Sequence, residues 1–301
     1  MSVEQHKKII LDTDLCGDCD DVGAMAVLLN LDRLGYAKTL AVTYCLGNPW
    51  GSDFIQHTLD WFGRNDIPYG KLTDYSYANY DVHNKRYIQP YFEQFPRKEQ
   101  YPAPYDSIRL LRRILAENNS TKDITLCAIG GLHNVNLLFT SAPDDISPKS
   151  GAELMQENIC EVVLMFGNFA HPDQGECNAG YDIPGGQHFL KHCPVPITFA
   201  GFETGVHLMT GAPSEHQRPG HPVRESYRLR EQGKFVRNSW DPVTVYYAVM
   251  GTQGLWRHSS PCTVALNNDA SLNIKEGGDH RYLIQIAEDD RIVQILDRLI
   301  V

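Results

Sequence analysis

Residues 8–31 read KIILDTDLCGDCDDVGAMAVLLNL, in which a strand-like run, an acidic loop and an apolar run follow one another. Residues 8–11 predict a buried β-strand, and residues 22–31 predict the helix that follows it. The loop between them, residues 12–21, holds five aspartates in ten positions. A strand, a polar loop and a helix in succession form the repeating unit of α/β proteins, so this segment predicts an α/β fold.

The same alternation continues along the chain. Short apolar runs predict further strands at residues 40–46, 124–128, 160–166 and 195–200. Helical patterns occur at residues 54–62, 108–116, 186–192 and 242–250, and another helix begins at residue 135. Alternating strands and helices predict a mostly parallel, doubly wound sheet with helices on both faces.

The C-terminal part has a different pattern. Strand candidates at residues 262–266, 272–274 and 282–286 are separated by turns and predict a small antiparallel appendage, followed by a last helix near residues 290–299. Residues 69–99 and 212–232 are rich in polar residues and proline and are predicted to be loops, with a mobile helix as the alternative for the second segment. No repeat or linker divides the chain, so residues 1–301 are expected to form a single domain.

Composition and charge exclude several classes of partner. The net charge is −10, so nucleic acid would be repelled and no nucleic-acid partner is expected. No apolar run approaches the length that crosses a bilayer, so no membrane partner is expected. The N-terminal residues lead into the first strand without the apolar core of a signal peptide, which predicts a cytoplasmic location.

The eight cysteines are expected to be reduced thiols. Several of them lie in or beside apolar, strand-like runs, where cysteine behaves as a small hydrophobic residue. Cys16 and Cys19 form one Cys-x-x-Cys pair, but the sequence has no second pair of the kind that zinc sites use. A redox or zinc role for this pair is therefore disfavoured.

Polar residues that directly follow the predicted strands are the candidates for chemistry, because ligands of a doubly wound sheet bind at the carboxyl ends of its strands. These residues are Asp12 and Asp14, then Asn48, then the Gly130-Gly131 turn, then Gly167-Asn168. Acid and amide groups are thus predicted to gather at one edge of the sheet.

The acidic loop itself indicates a divalent cation. Crowded carboxylates repel one another and their pKa values rise, and a bound cation removes that conflict. Calcium takes six to eight oxygen ligands, and the loop has no histidine, which favours calcium or magnesium over zinc. The alternative is a solvated loop in which Asp20 and Asp21 only favour the start of the next helix.

Two known acidic loops fit less well. An EF-hand loop that begins at Asp12 has its glycine at Gly17, but its twelfth residue is Gly23 instead of glutamate. The aspartyl-phosphatase pattern is matched only in part, because Cys16 stands at its fifth position. A phosphohydrolase with Asp12 or Asp14 as nucleophile remains an alternative.

Five motifs, in order along most of the chain, resemble those of the inosine-uridine-preferring nucleoside hydrolase family. The first is Asp12-Thr13-Asp14, then Asp18 and Asp20-Asp21, with Cys16 where that family usually has glycine. The others are residues 42–48, which end in Gly47-Asn48; residues 128–134, AIGGLHN; Glu176-Cys177-Asn178 with Asp182; and Ser239-Trp240-Asp241-Pro242. The resemblance implies a hydrolase that cleaves the N-glycosidic bond of nucleosides or related ribosides.

The resemblance also implies a role for each matching residue. The Ca²⁺ ligands would be Asp14, Asp21, Asp241 and the backbone carbonyl of Ile129. Asp14 would also be the general base that acts on a calcium-bound water. The sugar-binding residues would be Asp20, Asn48, Asn168, Glu176 and Asn178. Apart from the resemblance, Trp240 and Tyr227 have aromatic rings that could stack on a nucleobase, with core packing as the alternative, and Trp240 is taken as a substrate-binding candidate. Members of the family are often homo-oligomers, but the sequence itself offers no interface signal.

Trp240 is the departure that bears most on function. Many members of the family have a histidine at this position, which gives a proton to the leaving base, and an indole N–H is too weak an acid for that task. His207, His216, His221 and Tyr227 are the alternative donors in the segment near residues 207–227. A calcium- and ribose-binding protein without efficient turnover therefore remains a second alternative.

Overall fold

The computed structural model describes residues 6–47, 49–73, 86–97 and 101–301. Its strands are β1 Lys7–Thr13, β2 Ala37–Tyr44, β3 Tyr69–Lys71, β4 Tyr105–Asp106, β5 Ile124–Ala128, β6 Ile159–Met165, β7 Ile197–Ala200, β8 Met209–Thr210, β9 Arg237–Asn238, β10 Trp256–His258, β11 Cys262–Leu266, β12 Leu272–Glu276 and β13 His280–Gln285. Its α-helices are α1 Asp20–Arg33, α2 Pro49–Trp61, α3 Ile88–Gln94, α4 Ser107–Glu117, α5 His133–Thr140, α6 Gly151–Asn158, α7 Cys177–Tyr181, α8 Ile183–His192, α9 Pro222–Arg230, α10 Trp240–Met250 and α11 Asp289–Ile300.

A single large sheet organises the described residues. Its strand order is β12-β11-β13-β7-β6-β5-β1-β2-β3-β4, with β10 paired to β13. All neighbours from β13 to β4 along this order are parallel, and the pairs β11–β12, β11–β13 and β10–β13 are antiparallel. The predicted α/β class, with a mostly parallel sheet and antiparallel C-terminal strands, is confirmed. The C-terminal strands extend the same sheet, because β13 pairs in parallel with β7.

The strand order reverses at β1, which places the acidic loop at the natural ligand-binding crevice. The chain moves from β1 to β2 and β3 on one side and returns to β5, β6 and β7 on the other. Asp12 pairs with Thr43 of β2 and with Ala128 of β5, so the carboxyl ends of these three strands are level. Ligands of open α/β sheets bind at such a switch point.

Helices cover both faces of the sheet, and each face has its own apolar core. The first core contains Ile9, Leu11 and the apolar residues of α1, α10 and α11. The second contains Ile10, Leu126 and the apolar residues of α4, α5, α6 and α8. The residues of β1 alternate between the two cores, as expected for a central strand. Helix α1 is apolar on nearly every side because it lies beneath α10 and α11, which bury it.

The two segments predicted as loops contain helices in the structure. Helix α3 lies within residues 69–99, where Ile88 is buried and the rings of Tyr87 and Tyr91 pack edge-on against Phe54. Helix α9 lies within residues 212–232 and follows a short 3-10 helix, Ala212–His216. The loop prediction is wrong for residues 88–94, because polar composition hid the few residues that tertiary packing buries. For residues 212–232, the alternative of a helix is confirmed at α9. Residues 74–85 and 98–100 of that prediction lie outside the described part.

Helix α2 begins at Pro49, five residues before the predicted start, because proline is well suited to the first turn of a helix. Asp106 caps α4 by accepting the backbone N–H of Arg109. None of the helices that the structure describes is both long and apolar enough to cross a membrane.

The eight cysteines are free, as expected. Cys16 and Cys19 are buried, and burial raises the pKa of both thiols well above the ordinary value of 9.0. Both side chains are therefore neutral thiols near pH 7 and poor nucleophiles. Both side chains belong to the acidic loop and pack into the first apolar core.

Candidate active site

Three aspartates from the two ends of the chain meet above the switch point. Asp20 and Asp21 form the first turn of α1, and Asp241 lies in the first turn of α10. One carboxylate oxygen from each of the three lies within 4.8 Å of the others, and all three side chains are buried. Helix N-termini favour negative charge, so both helices help to hold this cluster.

Hydrogen bonds fix two members of the cluster. The Thr13 hydroxyl donates to Asp21, and the backbone N–H of Asp241 donates to Oδ2 of Asp20 at 3.1 Å. The Thr13 hydroxyl also accepts the N–H of Leu15 at 3.2 Å. Thr13 therefore ties the end of β1 to the start of α1.

Asp12 lies beneath the site and does not line it. Its side chain is fully buried, and its Oδ1 accepts Thr43 Oγ1 at 2.5 Å and Asn134 Nδ2 at 2.7 Å. Burial raises the pKa of Asp12 to about 7. This carboxyl joins the ends of β1 and β2 to the start of α5 and does not line the cavity, which argues against Asp12 as the nucleophile of a phosphohydrolase.

Asp14 lines a cavity of about 380 Å³ together with the aspartate cluster. It is half-buried at the end of β1, next to the Ile129-Gly130 turn that follows β5. Its carboxylate oxygens are not among the three grouped within 4.8 Å, so the structure brings Asp20 closer to Asp21 and Asp241 than it brings Asp14. The other cavity residues are Gly17, Asp18, Arg86, Ile129, Met165, Asn168, Gln174, Gly175, Glu176, Cys177, Asn178, Tyr181, Phe202 and Trp240.

Glu176 and Asn178 form the wall opposite the acidic loop. Glu176 caps α7 by accepting the N–H groups of Asn178 and Ala179, and it also accepts that of Gly167 at 3.0 Å. The Asn178 amide donates to the carbonyls of Ile129 and Met165, each at 3.1 Å. The predicted Ile129 carbonyl therefore faces this wall, and Asn178 keeps its amide oxygen for another partner.

Asn168 also reaches the cavity, although its Oδ1 accepts the backbone N–H of His171 at 2.9 Å. Asn48, the remaining sugar-binding candidate, lies outside the described residues.

An aromatic wall forms the rim of the cavity. The rings of Phe202 and Trp240 are stacked, with centroids 5.4 Å apart and planes at 29°. The Trp240 indole N–H donates to the Phe202 carbonyl at 2.8 Å, so its hydrogen is already used. Arg237 lies over the Trp240 ring, with its guanidinium carbon 5.3 Å from the centroid.

The predicted alternative proton donors do not reach this cavity. His207 and His216 are exposed, and His221 is buried as the cap of α9 beside Trp61. Tyr227 is fully buried with its hydroxyl packed on Gly23 of α1. Within the described part of the chain, no histidine lines the cavity.

The electrostatics of the site favour a cation. Burial, followed by repulsion from Asp18, Glu176 and Asp12, raises the pKa of Asp14 to about 7. The pKa values of the three clustered aspartates are raised well above 3.8, first by burial and then by neighbouring carboxylates. A divalent cation bound among them would stabilise their charged forms. All the donors are oxygens, so the site suits a hard cation such as Ca²⁺ or Mg²⁺.

Several residues that shape the site were missed in the sequence. Asn134 holds Asp12, Arg86 and Gln174 line the cavity, and Phe202 completes the aromatic wall. Asn134 is the last residue of the AIGGLHN motif, so the motif carried a signal for it. The others lie in segments whose spacing selects no particular residue.

Comparison with known proteins decides the family. The family model described as inosine-uridine preferring nucleoside hydrolase matches residues 9–286. The chain belongs to this family. This confirms the family predicted from the five motifs, and it indicates a hydrolase that acts on N-glycosyl compounds, with a small-molecule nucleoside as substrate.

Solved structures of nucleoside hydrolases share the fold. An inosine-guanosine nucleoside hydrolase has a TM-score of 0.73 and 18% identity, over 98% of this chain and 99% of that one. An inosine-uridine preferring nucleoside hydrolase from Bacillus anthracis has a TM-score of 0.72 and 15% identity over the same shares. A purine-preferring ribonucleoside hydrolase from Gardnerella vaginalis has 0.72 and 14%, over 98% of each chain. A comparison with curated proteins gives no match.

The contact between Gly130 and Asp14 predicts the effect of a methyl group. A Cβ on Gly130 would lie 2.7 Å from the Asp14 Cβ and 2.8 Å from its backbone nitrogen. Gly130→Ala should therefore destabilise the protein by about 1–3 kcal/mol. Because it also displaces Asp14, it should lower kcat for riboside hydrolysis by on the order of 10².

Gly180→Ala is the matched control, because the nearest atom to its new Cβ is 3.7 Å away, an ordinary contact. Thermal unfolding and steady-state kinetics of the two variants make the comparison. Parent-like kcat in Gly130→Ala would show that this contact does not position Asp14.

The raised pKa values predict that metal binding depends on pH. A carboxyl with a pKa of about 7, as at Asp14, is mostly protonated at pH 5.5 and must lose its proton to bind a cation. Affinity for Ca²⁺ should therefore rise from pH 5.5 to pH 8, by about 30-fold for each such carboxyl. Isothermal titration calorimetry measures the affinity, and buffers of different ionisation enthalpy count the released protons. Equal affinity at both pH values would contradict the raised pKa.

Proposed function

We propose that the protein hydrolyses the N-glycosidic bond of nucleosides or related ribosides, with Ca²⁺ as cofactor and Asp14 as general base. The observation that carries the proposal is the single cavity that joins the aspartate cluster, Asp14, the Glu176–Asn178 wall and an aromatic rim. Each element of the reaction then has a chemical group to perform it.

Calcium would be held by Asp14, Asp21, Asp241 and the Ile129 carbonyl. The Asp20 carboxylate lies close to those of Asp21 and Asp241, which supports placing it beside the bound cation as well. When bound, the cation supplies a polarised water and chelates sugar hydroxyls. The protein's own contribution is to keep these oxygens together by burial and by the hydrogen bonds from Thr13 and the Asp241 N–H.

The sugar would bind through Asp20, Asn48, Asn168, Glu176 and Asn178. The backbone N–H groups that Glu176 accepts fix the position of its carboxylate, which lines the cavity. Asn178 gives its amide N–H to two carbonyls, which leaves its oxygen to accept a sugar hydroxyl. Carboxylates around the ring also stabilise the positive charge that develops on the sugar.

Asp14 would take the proton of the attacking water. Its carboxylate lines the same cavity as the aspartate cluster, which supports this role. The oxygen of water forms a bond to C1′, and the C1′–N bond breaks with its electron pair moving to the leaving group.

Departure of the leaving group depends on the aromatic wall at the rim of the cavity. The indole N–H of Trp240 already donates to the Phe202 carbonyl, so Trp240 would stack on the leaving group without giving it a proton. This favours substrates whose leaving group departs without protonation. It also keeps a calcium- and ribose-binding protein without efficient turnover as the second candidate.

Release of free ribose from a panel of nucleosides and aryl ribosides, with and without chelator, separates the two candidates. Ribose release that stops with chelator supports the hydrolase, whereas metal and ribose binding without release supports the second candidate. A cytoplasmic location and a homo-oligomeric state remain predictions.

Two substitutions separate the base from a metal ligand. Asp14→Asn removes the base while an amide oxygen remains, so kcat should fall by on the order of 10² to 10⁴ with Ca²⁺ still bound. Asp21→Ala removes a clustered carboxylate, so tight Ca²⁺ binding itself should be lost. Calorimetry and kinetics at saturating Ca²⁺ measure both effects. Near-normal turnover in Asp14→Asn would remove Asp14 as the base.

Leaving-group quality should dominate the substrate preference. A nitrophenyl riboside releases a phenolate that needs no proton, so its kcat/KM should exceed that of inosine by a large factor. The ratio of the two values across pH is the measurement. A steep acid limb for inosine alone would show a hidden proton donor, and equal rates would show that leaving-group activation is complete.

A further inference from the structure

Arg237 connects the acidic loop to the aromatic wall. It lies on β9, three residues before Trp240. Its Nε donates to Asp18 Oδ1 at 2.7 Å and its Nη2 donates to Asp18 Oδ2, which makes a two-pronged ion pair. A third nitrogen, Nη1, lies 3.3 Å from Glu231. The Arg237 side chain is 17% exposed and the Asp18 side chain is 32% exposed, so this ion pair is partly shielded from solvent.

Two further arginines hold the residue beside Asp18. The Gly17 carbonyl accepts Arg86 Nη1 at 2.8 Å and Arg230 Nε at 3.3 Å. Guanidinium groups from three separate segments thus converge on the Gly17–Asp18 turn, in a chain of net charge −10. Gly17 and Asp18 both line the cavity, so their position shapes it directly.

The acidic loop and the segment around Asp241 are joined at two points. One is the Arg237–Asp18 ion pair, and the other is the bond from the Asp241 N–H to Asp20. Asp241 must approach Asp20 and Asp21 although the carboxylates of both repel its own. The two-pronged Arg237–Asp18 ion pair joins the acidic loop to the segment around Asp241 and holds the two in a fixed relative position.

We propose that Arg237 is a positioning residue: by binding Asp18 with two hydrogen bonds and lying over Trp240, it assembles the metal-binding carboxylates and fixes the aromatic wall together. This inference rests on the proposed function. It means that metal affinity and leaving-group recognition are set by one side chain that contacts neither the metal nor the sugar.

The Arg237–Asp18 ion pair is more restrained than an ordinary surface ion pair. Exposed pairs contribute about 0–1 kcal/mol because both side chains are mobile and solvated. A bidentate, stacked arginine is restrained in both direction and distance, and lysine cannot reproduce that geometry. Residues that orient metal ligands in this indirect way typically change metal affinity by about 10- to 100-fold when they are replaced.

The calcium affinity of Arg237→Gln is the decisive measurement, because a pure charge effect and a positioning effect would change this affinity in opposite directions. Removing a cation beside a site for Ca²⁺ should tighten binding if Arg237 acts only through its charge. Loss of positioning should weaken binding by at least about tenfold. Titration calorimetry of the purified protein with Ca²⁺ measures this without any turnover. Unchanged or tighter binding would overturn the proposal.

Arg237→Lys tests geometry against charge. It keeps the positive charge but loses the second hydrogen bond and the flat face over Trp240, so it should also bind Ca²⁺ more weakly than the parent. Restoration of the parent affinity by lysine would overturn the proposed geometry. Arg109→Gln is the matched control, because Arg109 forms an exposed two-pronged pair with Asp145, at 2.9 and 2.7 Å, away from the cavity. It should leave the affinity unchanged.

Kinetics give the second readout. At Ca²⁺ concentrations that saturate each variant, Arg237→Gln should raise KM for an aryl riboside several-fold and change kcat little, because the wall over the leaving group is loosened. A uniform fall in kcat with parent KM would indicate a structural role only. If Arg237→Gln does not fold, Asp18→Asn breaks the same pair from the other side and should raise KM in the same way.

The failures are distinguishable. A parent protein that binds Ca²⁺ and hydrolyses ribosides, with Arg237→Gln equal to the parent, overturns this inference alone. A parent protein that binds no Ca²⁺ overturns the calcium assignment and this inference with it.

Discussion

The rest of the site depends on the close grouping of carboxylates at the switch point of the sheet, after the end of β1, which is unfavourable for their charged forms. Burial and mutual repulsion both disfavour their charged forms, as the raised pKa values of Asp14, Asp20, Asp21 and Asp241 indicate. The surrounding groups offset this cost. Two helix N-termini, the Thr13 hydroxyl and backbone N–H groups all direct positive or hydrogen-bearing ends at the cluster.

Packing of α1 against α10 brings the two ends of the chain to this point. Both helices begin at the cluster, and Gly23 and Pro242 lie close together near their starts, around the buried hydroxyl of Tyr227. A Cβ at position 23 would clash with that hydroxyl but would lie 3.5 Å from Pro242, so the absence of a Cβ makes room for Tyr227 of α9. The same contact explains why Tyr227 is a core residue and does not reach the cavity.

The sequence predicted the fold and the family because both depend on patterns that are local. Strand runs, helical runs and the spacing within each motif survive without knowledge of what packs on what. Residues 88–94 escaped prediction because only a few of their residues are apolar, and the ring of Phe54, more than thirty residues away, packs against Tyr91 and Phe92. The partners of Asp12 and Asp18 are 122 and 219 residues away, so no local pattern could link Asn134 or Arg237 to the acidic loop. The grouping of Asp20 with Asp21 and Asp241 likewise depends on how two helices meet.

The two halves of the site are physically tied at Trp240 and Asp241. Consecutive residues at the start of α10 place an aromatic ring at the cavity rim and a carboxylate in the aspartate cluster. A rotation of the first turn of this helix would move both groups, and the bonds to Phe202 and Asp20 oppose such a rotation from either side. In this chain, therefore, a change in the rim that moves the first turn of α10 also moves a carboxylate of the aspartate cluster. Selectivity for the leaving group is coupled in this way to the carboxylates of the site.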